Sequence, residues 1–216
     1  MSHLRRITLI LCILLLPLLS YSQVISNQMQ PIPTIKAVLT DKTPKLDGTL
    51  DDPVWKKAGV VSELTDYTTG NPVKEKTQTY ILYDKNNLYF GFKCYESKMD
   101  KTVAKVTTDG GLAYQDDCVE IFIAPFQTAS PNNYYHFVTN IIGTKYSDKL
   151  SEPGTGLDKW QTKTAKQTDG WTAVMVIPFS ILDEKGKNEA FWRLNIGREE
   201  QPSGEVSCWS VTYGSF

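Results

Sequence analysis

Histidine and cysteine are nearly missing from this chain: 216 residues contain two of the first and four of the second. No C-x-x-C pair and no Cys/His ligand spacing occurs, which argues against a structural zinc site. A Ser/His/Asp or Cys/His nucleophile set is implausible for a related reason. One histidine, His3, falls in the N-terminal segment, and His136 stands alone. Set among Tyr and Phe, His136 reads as a packed ring rather than a base. Positive charge is not in excess either. Lys and Arg number 23 against 24 Asp and Glu, a net charge of −1, which excludes a broad phosphate-gripping surface and nucleic acid as a partner. A charged fraction of 22% beside 11% aromatic residues also argues against wholesale disorder. What is left is a near-neutral, aromatic-rich globular chain with length for one domain and a real core.

The longest apolar run is short as well. Arg5 and Arg6 precede Ile7–Leu19, and Ser20-Tyr21-Ser22 supplies a small-x-small step before Gln23. A bilayer needs roughly 20 apolar residues, so this run reads as a secretory signal peptide over residues 1–22, cleaved near Ser22. Cys12 lies inside the run behind Leu11 and does not resemble a lipoprotein cysteine. Cleavage removes Arg5 and Arg6 and no acidic residue, which takes the net charge from −1 to −3. The expected product is secreted, periplasmic or on the cell surface, with no membrane span after cleavage. Residues 23–34, polar and carrying two prolines, read as a linker or arm.

Beyond residue 35 the texture changes to short β-rich runs separated by turn signals. Thr77–Asp84 and Asn87–Glu96 flank Lys85-Asn86 as a hairpin. Trp160–Thr168 and Trp171–Ile177 are joined by Asp169-Gly170, a second hairpin signal. Asp117–Ala124, Tyr134–Ile141, Lys145–Asp148, Phe191–Gly197 and Val206–Val211 complete about nine strands. Helical turns are expected at only two places: after Asp52-Pro53, an N-cap followed by proline, and over 178–182. The fold class is therefore all-β, an antiparallel β-sandwich of jelly-roll or immunoglobulin-like type. Cys94, Cys118 and Cys208 all fall in strands and read as small buried residues, with a Cys118–Cys208 bridge expected only if their strands are neighbours.

Seven motifs in order carry a resemblance. They are Leu46-Asp47-Gly48-Thr49-Leu50-Asp51-Asp52-Pro53-Val54-Trp55, Tyr83-Asp84-x-x-Asn87-Leu88-Tyr89-Phe90-Gly91-Phe92, Asp116-Asp117-Cys118-Val119-Glu120-Ile121-Phe122-Ile123, Tyr134-Tyr135-His136-Phe137-x-x-Asn140, Asp169-Gly170-Trp171-x-Ala173-x-Met175-x-Ile177-Pro178-Phe179, Trp192-Arg193-Leu194-Asn195 and Trp209-Ser210. Together they resemble family 9 carbohydrate-binding modules over residues 37–216. The resemblance implies a non-catalytic β-sandwich over residues 35–216 that binds sugar between aromatic rings and holds structural calcium. Its implied partners are a glycan of xylan or glucan type, and a glycoside hydrolase or an outer-surface assembly. It also implies a strand beyond Trp209-Ser210, so a domain stopping at Phe216 is expected to lack its last strand.

Transferred position by position, the resemblance puts one aromatic plate on Tyr114, a hydroxyl-binding carboxylate on Glu120 and a second plate on Phe216. Tyr and Phe stand where the family has tryptophan. Asn140 and Asn195 match polar strand positions. Val138 replaces an arginine, with Arg198 as a substitute from a neighbouring strand. Strand alternation puts Val119, Ile121 and Ile123 on one face and Cys118, Glu120 and Phe122 on the other, so Glu120 turns away from the core. Its bland alternative is an ion pair with Arg193 or Arg198. Trp55, Trp171, Trp192 and Trp209 read as core, with Trp160 less clear. Asp100, Asp109, Asp116 and Asp117 are oxygen donors of the kind calcium takes, without an EF-hand loop.

Three other functions have less support in the sequence. Glycoside hydrolysis needs two carboxylates about 5 to 9.5 Å apart. Asp116 and Glu120 share a face but stand about 13 Å apart along a strand, which leaves only a partner from elsewhere. A haem-binding sandwich would use His136 with Met99 or Met175, with no supporting motif. A purely structural or adhesive module is the remaining reading.

Overall fold

The computed structural model describes residues 32–125, 133–150, 157–182 and 191–214. The segment 1–22, most of the arm and Phe216 lie outside the described residues. Among the described residues there are twelve strands: β1 (Val38–Leu39), β2 (Gly59–Val61), β3 (Thr65–Asp66), β4 (Thr77–Tyr83), β5 (Asn87–Tyr95), β6 (Cys118–Ala124), β7 (Tyr135–Asn140), β8 (Lys145–Lys149), β9 (Gln161–Gln167), β10 (Gly170–Pro178), β11 (Arg193–Glu200) and β12 (Glu205–Cys208). They form two sheets, β1-β4-β5-β10-β9 with β2 also on β4, and β3-β12-β11-β6-β7-β8. This is the expected all-β sandwich. Its pairing is antiparallel throughout except for the two-residue contact of β1 with β4, which is parallel. Among the described residues no helix is long and apolar enough to cross a membrane.

The expected hairpins form for local reasons. After β4, the Asp84 carboxylate accepts from the backbone N–H of Asn86 at 2.7 Å and of Asn87 at 2.8 Å, and from the Tyr89 hydroxyl at 2.6 Å. One side chain thus closes the turn and ties it to β5. Between β9 and β10 the turn is one residue earlier than Asp169-Gly170 predicts, because Gly170 already pairs with Gln167 and Tyr95. Glycine is needed there for proximity: a Cβ would lie 2.0 Å from the Cys94 carbonyl oxygen. Asp52 accepts from Val54 N at 3.1 Å and caps the 3₁₀ turn Pro53–Lys57, as its sequence predicts. The 3₁₀ turns Met99–Lys101 and Ala113–Gln115 have no side-chain cap and so no sequence signature.

Alternation distributes the apolar residues into layers. Ile81, Phe90, Phe92, Trp171 and Met175 from the first sheet meet Val119, Ile121, Phe137 and Ile196 from the second. Trp160 joins this core, with its ring edge-on to Phe137 at 5.6 Å. Trp192 and Trp209 pack partly buried against it. Trp55 belongs instead to a layer on the outer face of the first sheet, with Leu82, Tyr89 and Val174. Gly91 leaves it room, since a Cβ there would stand 3.2 Å from the indole.

Two expectations are overturned. Cys118 and Cys208 are free, as is Cys94, and all three are buried. β11 lies between β6 and β12, so the two thiols never become neighbours. Arg198 does not reach the face that carries Glu120. It is cross-strand from Val119, on the core side, and is only 1% exposed. Its Nη1 donates to the carbonyls of Tyr95 at 2.8 Å, Glu75 at 3.2 Å and Lys76 at 3.3 Å, and to Thr77 Oγ1 at 3.3 Å. Its Nη2 pairs with the Glu96 carboxylate at 3.2 Å. One buried guanidinium therefore stitches β11 of the second sheet to the β4–β5 end of the first. Removing one partner of a buried ion pair leaves the other charge uncompensated. Arg198→Ala is expected to cost about 3–5 kcal/mol in chemical denaturation, far more than Arg193→Ala on the exposed end of the same strand.

Candidate functional site

The register of the second sheet lines up its outward residues in rows. Asn195, Phe122, His136 and Asp148 are successive cross-strand partners from β11 to β8. The next row is Gly197, Glu120, Val138 and Tyr146. Across this face lies the 3₁₀ turn Ala113–Gln115, whose Ala113 and Tyr114 pack on Cys118, Val138 and Tyr146.

The rings form a continuous strip. Tyr114 stands edge-on to Tyr146 at 5.4 Å, and Tyr146 edge-on to His136 at 5.7 Å. His136 stacks on Phe122 at 4.3 Å with 12° between planes, and Phe122 meets Tyr134 at 5.8 Å. Burial, then the charge of Asp148, pushes the hydroxyls of Tyr134 and Tyr146 upward. Within the strip sits Glu120, only 2% exposed. Its Oε2 lies 2.6 Å from His136 Nε2. In the tautomer that carries its proton on Nε2, the imidazole donates to this oxygen. The Cys118 thiol, a weak donor, points at Glu120 Oε1 from 3.8 Å. On the neighbouring strand the Glu199 carboxyl is pushed up to about 7 by burial and then by the charge of Glu120. Asp148 Oδ1 is buried with no hydrogen-bond partner.

The residues expected from sequence divide sharply. Tyr114 and Glu120 do share one face, and Glu120 does turn away from the core, but its partner is His136 and not an arginine. Asn140 is fully buried and all its capacity is spent. Its amide donates to Val106 O and Asp116 Oδ2 and accepts from Ile142 N and Thr144 N. It braces a loop and offers a sugar nothing. Asn195 is on the face, but it donates to Ser210 O and accepts from Ser210 N and Ile196 N, so its main task is to hold the segment after β12. Phe216 lies outside the described residues. Phe122, Tyr134, His136, Tyr146 and Glu199 are neighbours on this face that the sequence expectation does not include. The alternation Tyr134-x-His136 hints at them, but only register shows which strands bring them to Glu120.

The acidic residues sort in the same way. Asp116 accepts from Lys105 N and Val106 N, each at 2.9 Å; Asp109 accepts from Lys145 N; Asp100 is exposed. Only Asp117 meets other carboxylates. Glu96, Asp117 and Glu200, all buried, bring ligand oxygens within 4.8 Å of one another. Arg198 neutralises one charge, and burial raises the carboxyls of Asp117 and Glu96. These oxygens also accept backbone N–H groups, Asp117 from Val103 and Gln201, Glu200 from Ser203 and Glu96 from Lys98, and the set is of the hard-oxygen kind that calcium takes. A cavity of about 280 Å³ on the other sheet, lined by Leu46, Asn87, Tyr89, Gln161 and Val176 among others, lies apart from both features.

A family model for carbohydrate family 9 binding-domain-like proteins matches residues 46–196. The chain belongs to this family. Solved structures agree in fold. A candidate carbohydrate-binding protein from Bacteroides uniformis superposes with a TM-score of 0.63 at 17% identity, covering 84% of this chain and 90% of its own. A family 9 module from Caldicellulosiruptor kristjanssonii, solved with cellotriose and with glucose, gives 0.56 at 20% identity over 80% of this chain. Those structures are covered to 83% and 85% of their own length. No curated protein matches the chain. In this family 9 domain the candidate site around Glu120 lies on the outer face of β6.

The raised Glu199 carboxyl has a consequence for stability. With its folded value near 7 against an ordinary 4.5, the folded state binds more protons in between, so this group makes stability fall as pH rises through that window. Glu199→Gln removes the effect. Its Tm should equal that of the wild type at pH 4 and exceed it at pH 8 in thermal scans.

Proposed function

We propose that this family 9 domain is an exported, non-catalytic module that binds neutral glycans of glucan or xylan type. The carrying observation is the aromatic strip from Tyr114 to Tyr134 with the Glu120 carboxylate set within it. A pyranose ring presents apolar C–H faces and a rim of hydroxyls, so it wants rings beside an acceptor. Family membership and the sugar complexes of the Caldicellulosiruptor kristjanssonii module support the glycan class. The N-terminal Arg5-Arg6 and Ile7–Leu19 pattern supports export, which brings the module to extracellular polysaccharide. A glycoside hydrolase or outer-surface assembly is the natural partner of such a module. Binding without turnover is favoured because Asp116 is spent on backbone amides and Glu120 is tied to His136.

Isothermal calorimetry with cello- and xylo-oligosaccharides tests the reading. Tyr114→Ala should weaken binding by about 1 kcal/mol, and Glu120→Gln by about 1.5–3 kcal/mol. Absence of heat with every glucan, xylan and bacterial polysaccharide would overturn the function, and an unchanged Tyr114→Ala affinity would overturn the site. Release of reducing sugar, abolished by Glu120→Gln, would replace binding by hydrolysis.

The second part of the reading is structural calcium held by Glu96, Asp117 and Glu200. The ion would supply the positive charge that Arg198 leaves uncompensated at the end of the sandwich. Calcium is expected to raise Tm and chelator to lower it, with both responses lost in Asp117→Asn. A Tm indifferent to calcium in the wild type would remove the ion from the account.

A further inference from the structure

We infer that His136 is a positioning residue for glycan recognition, which fixes the Glu120 carboxylate so that one oxygen, Oε1, is presented to a single sugar hydroxyl. This rests on the glycan-binding reading above and deepens it. The imidazole is itself held on two sides, by the 4.3 Å stack on Phe122 and the edge contact with Tyr146 at 5.7 Å. A ring fixed in this way makes the 2.6 Å bond to Glu120 Oε2 directional. Oε2 is thereby occupied, while Oε1 faces only the Cys118 thiol at 3.8 Å, and a thiol is a poor donor. Beside Glu120 on β11 the cross-strand residue is Gly197, which has no side chain to fill the space. On β7 the cross-strand residue is Val138, which offers no hydrogen bond. Among the described residues the carboxylate therefore has one strong acceptor left and no donor of comparable strength for it.

The charged and titratable groups around the imidazole are Glu120 on β6, Asp148 opposite it on β8, Tyr146 on β8 and Tyr134 just before β7; Glu199 on β11 faces Glu120. Asp148 Oδ1, unpartnered and buried, adds a second negative group beside the ring.

The test is a deoxy-sugar scan by calorimetry on the full chain, with thermal unfolding run alongside. For the wild type, deletion of one particular hydroxyl from the bound sugar should cost on the order of tenfold in affinity, and the others less. Glu120→Gln should abolish that discrimination. His136→Phe, which keeps a ring in the strip, should weaken the parent sugar about tenfold and also lose the discrimination, with no further loss in the double variant. His136→Gln, long enough to donate to Glu120, should restore the discrimination, and His136→Asn should not. His136→Phe that discriminates like the wild type, losses that multiply in the double variant, or a His136→Gln indistinguishable from His136→Asn would overturn the positioning role while leaving sugar binding intact. A wild type that binds no sugar overturns the underlying reading and this one with it.

Discussion

The buried guanidinium of Arg198 is the interaction on which the rest of the sandwich depends. Two sheets with apolar inner faces attract each other without direction, and the core residues alone leave their relative placement loosely specified. Arg198 supplies the direction. It reaches from β11 to three carbonyls, a hydroxyl and the Glu96 carboxylate at the β4–β5 end. Because strand residues alternate, an inward Arg198 obliges Gly197 and Glu199 to turn outward. The clamp inside thereby sets the floor and flank of the face outside. Three carboxylates, Glu96, Asp117 and Glu200, gather at the same end, and the guanidinium pairs with the first of them.

The outward face obeys a second constraint, the cost of burying a carboxylate without a donor. Glu120 is nearly enclosed, and in this chain His136 meets the need. The imidazole serves two purposes. It hydrogen-bonds the carboxylate, and it fills a place in a row of rings by stacking on Phe122. The strip and the acceptor are thus one construction. Glu199 shows the cost of such a face, since burial, and after it the charge of Glu120, holds its carboxyl well above the ordinary range.

Much of the fold was legible because its determinants are local. Asp84 closes the first hairpin with its own side chain, and Asp52-Pro53 starts a 3₁₀ turn by capping. The second hairpin was displaced by one residue because Gly170 answers to the approach of the Cys94 carbonyl, a neighbour far away in sequence. Of the site, Tyr114 and Glu120 were placed on a common face by motif and alternation. Asn140, Asn195 and Arg198 were misjudged because an amide or guanidinium looks the same in sequence whether it faces a ligand or braces a backbone. The Cys118–Cys208 bridge failed for an equally non-local reason, the insertion of β11 between their strands.

The sequence by itself determined that this chain is an all-β domain, which side of β6 faces the core, and that Glu120 faces away from it, since period-two alternation and turn chemistry act over a few residues. Only the tertiary structure decided what Glu120 meets there. Strand order and register are set by packing between segments distant in sequence. It is register that brings His136, Phe122 and Tyr146 around one carboxylate and Glu96, Asp117 and Glu200 around another site, while it sends Arg198 to the interior.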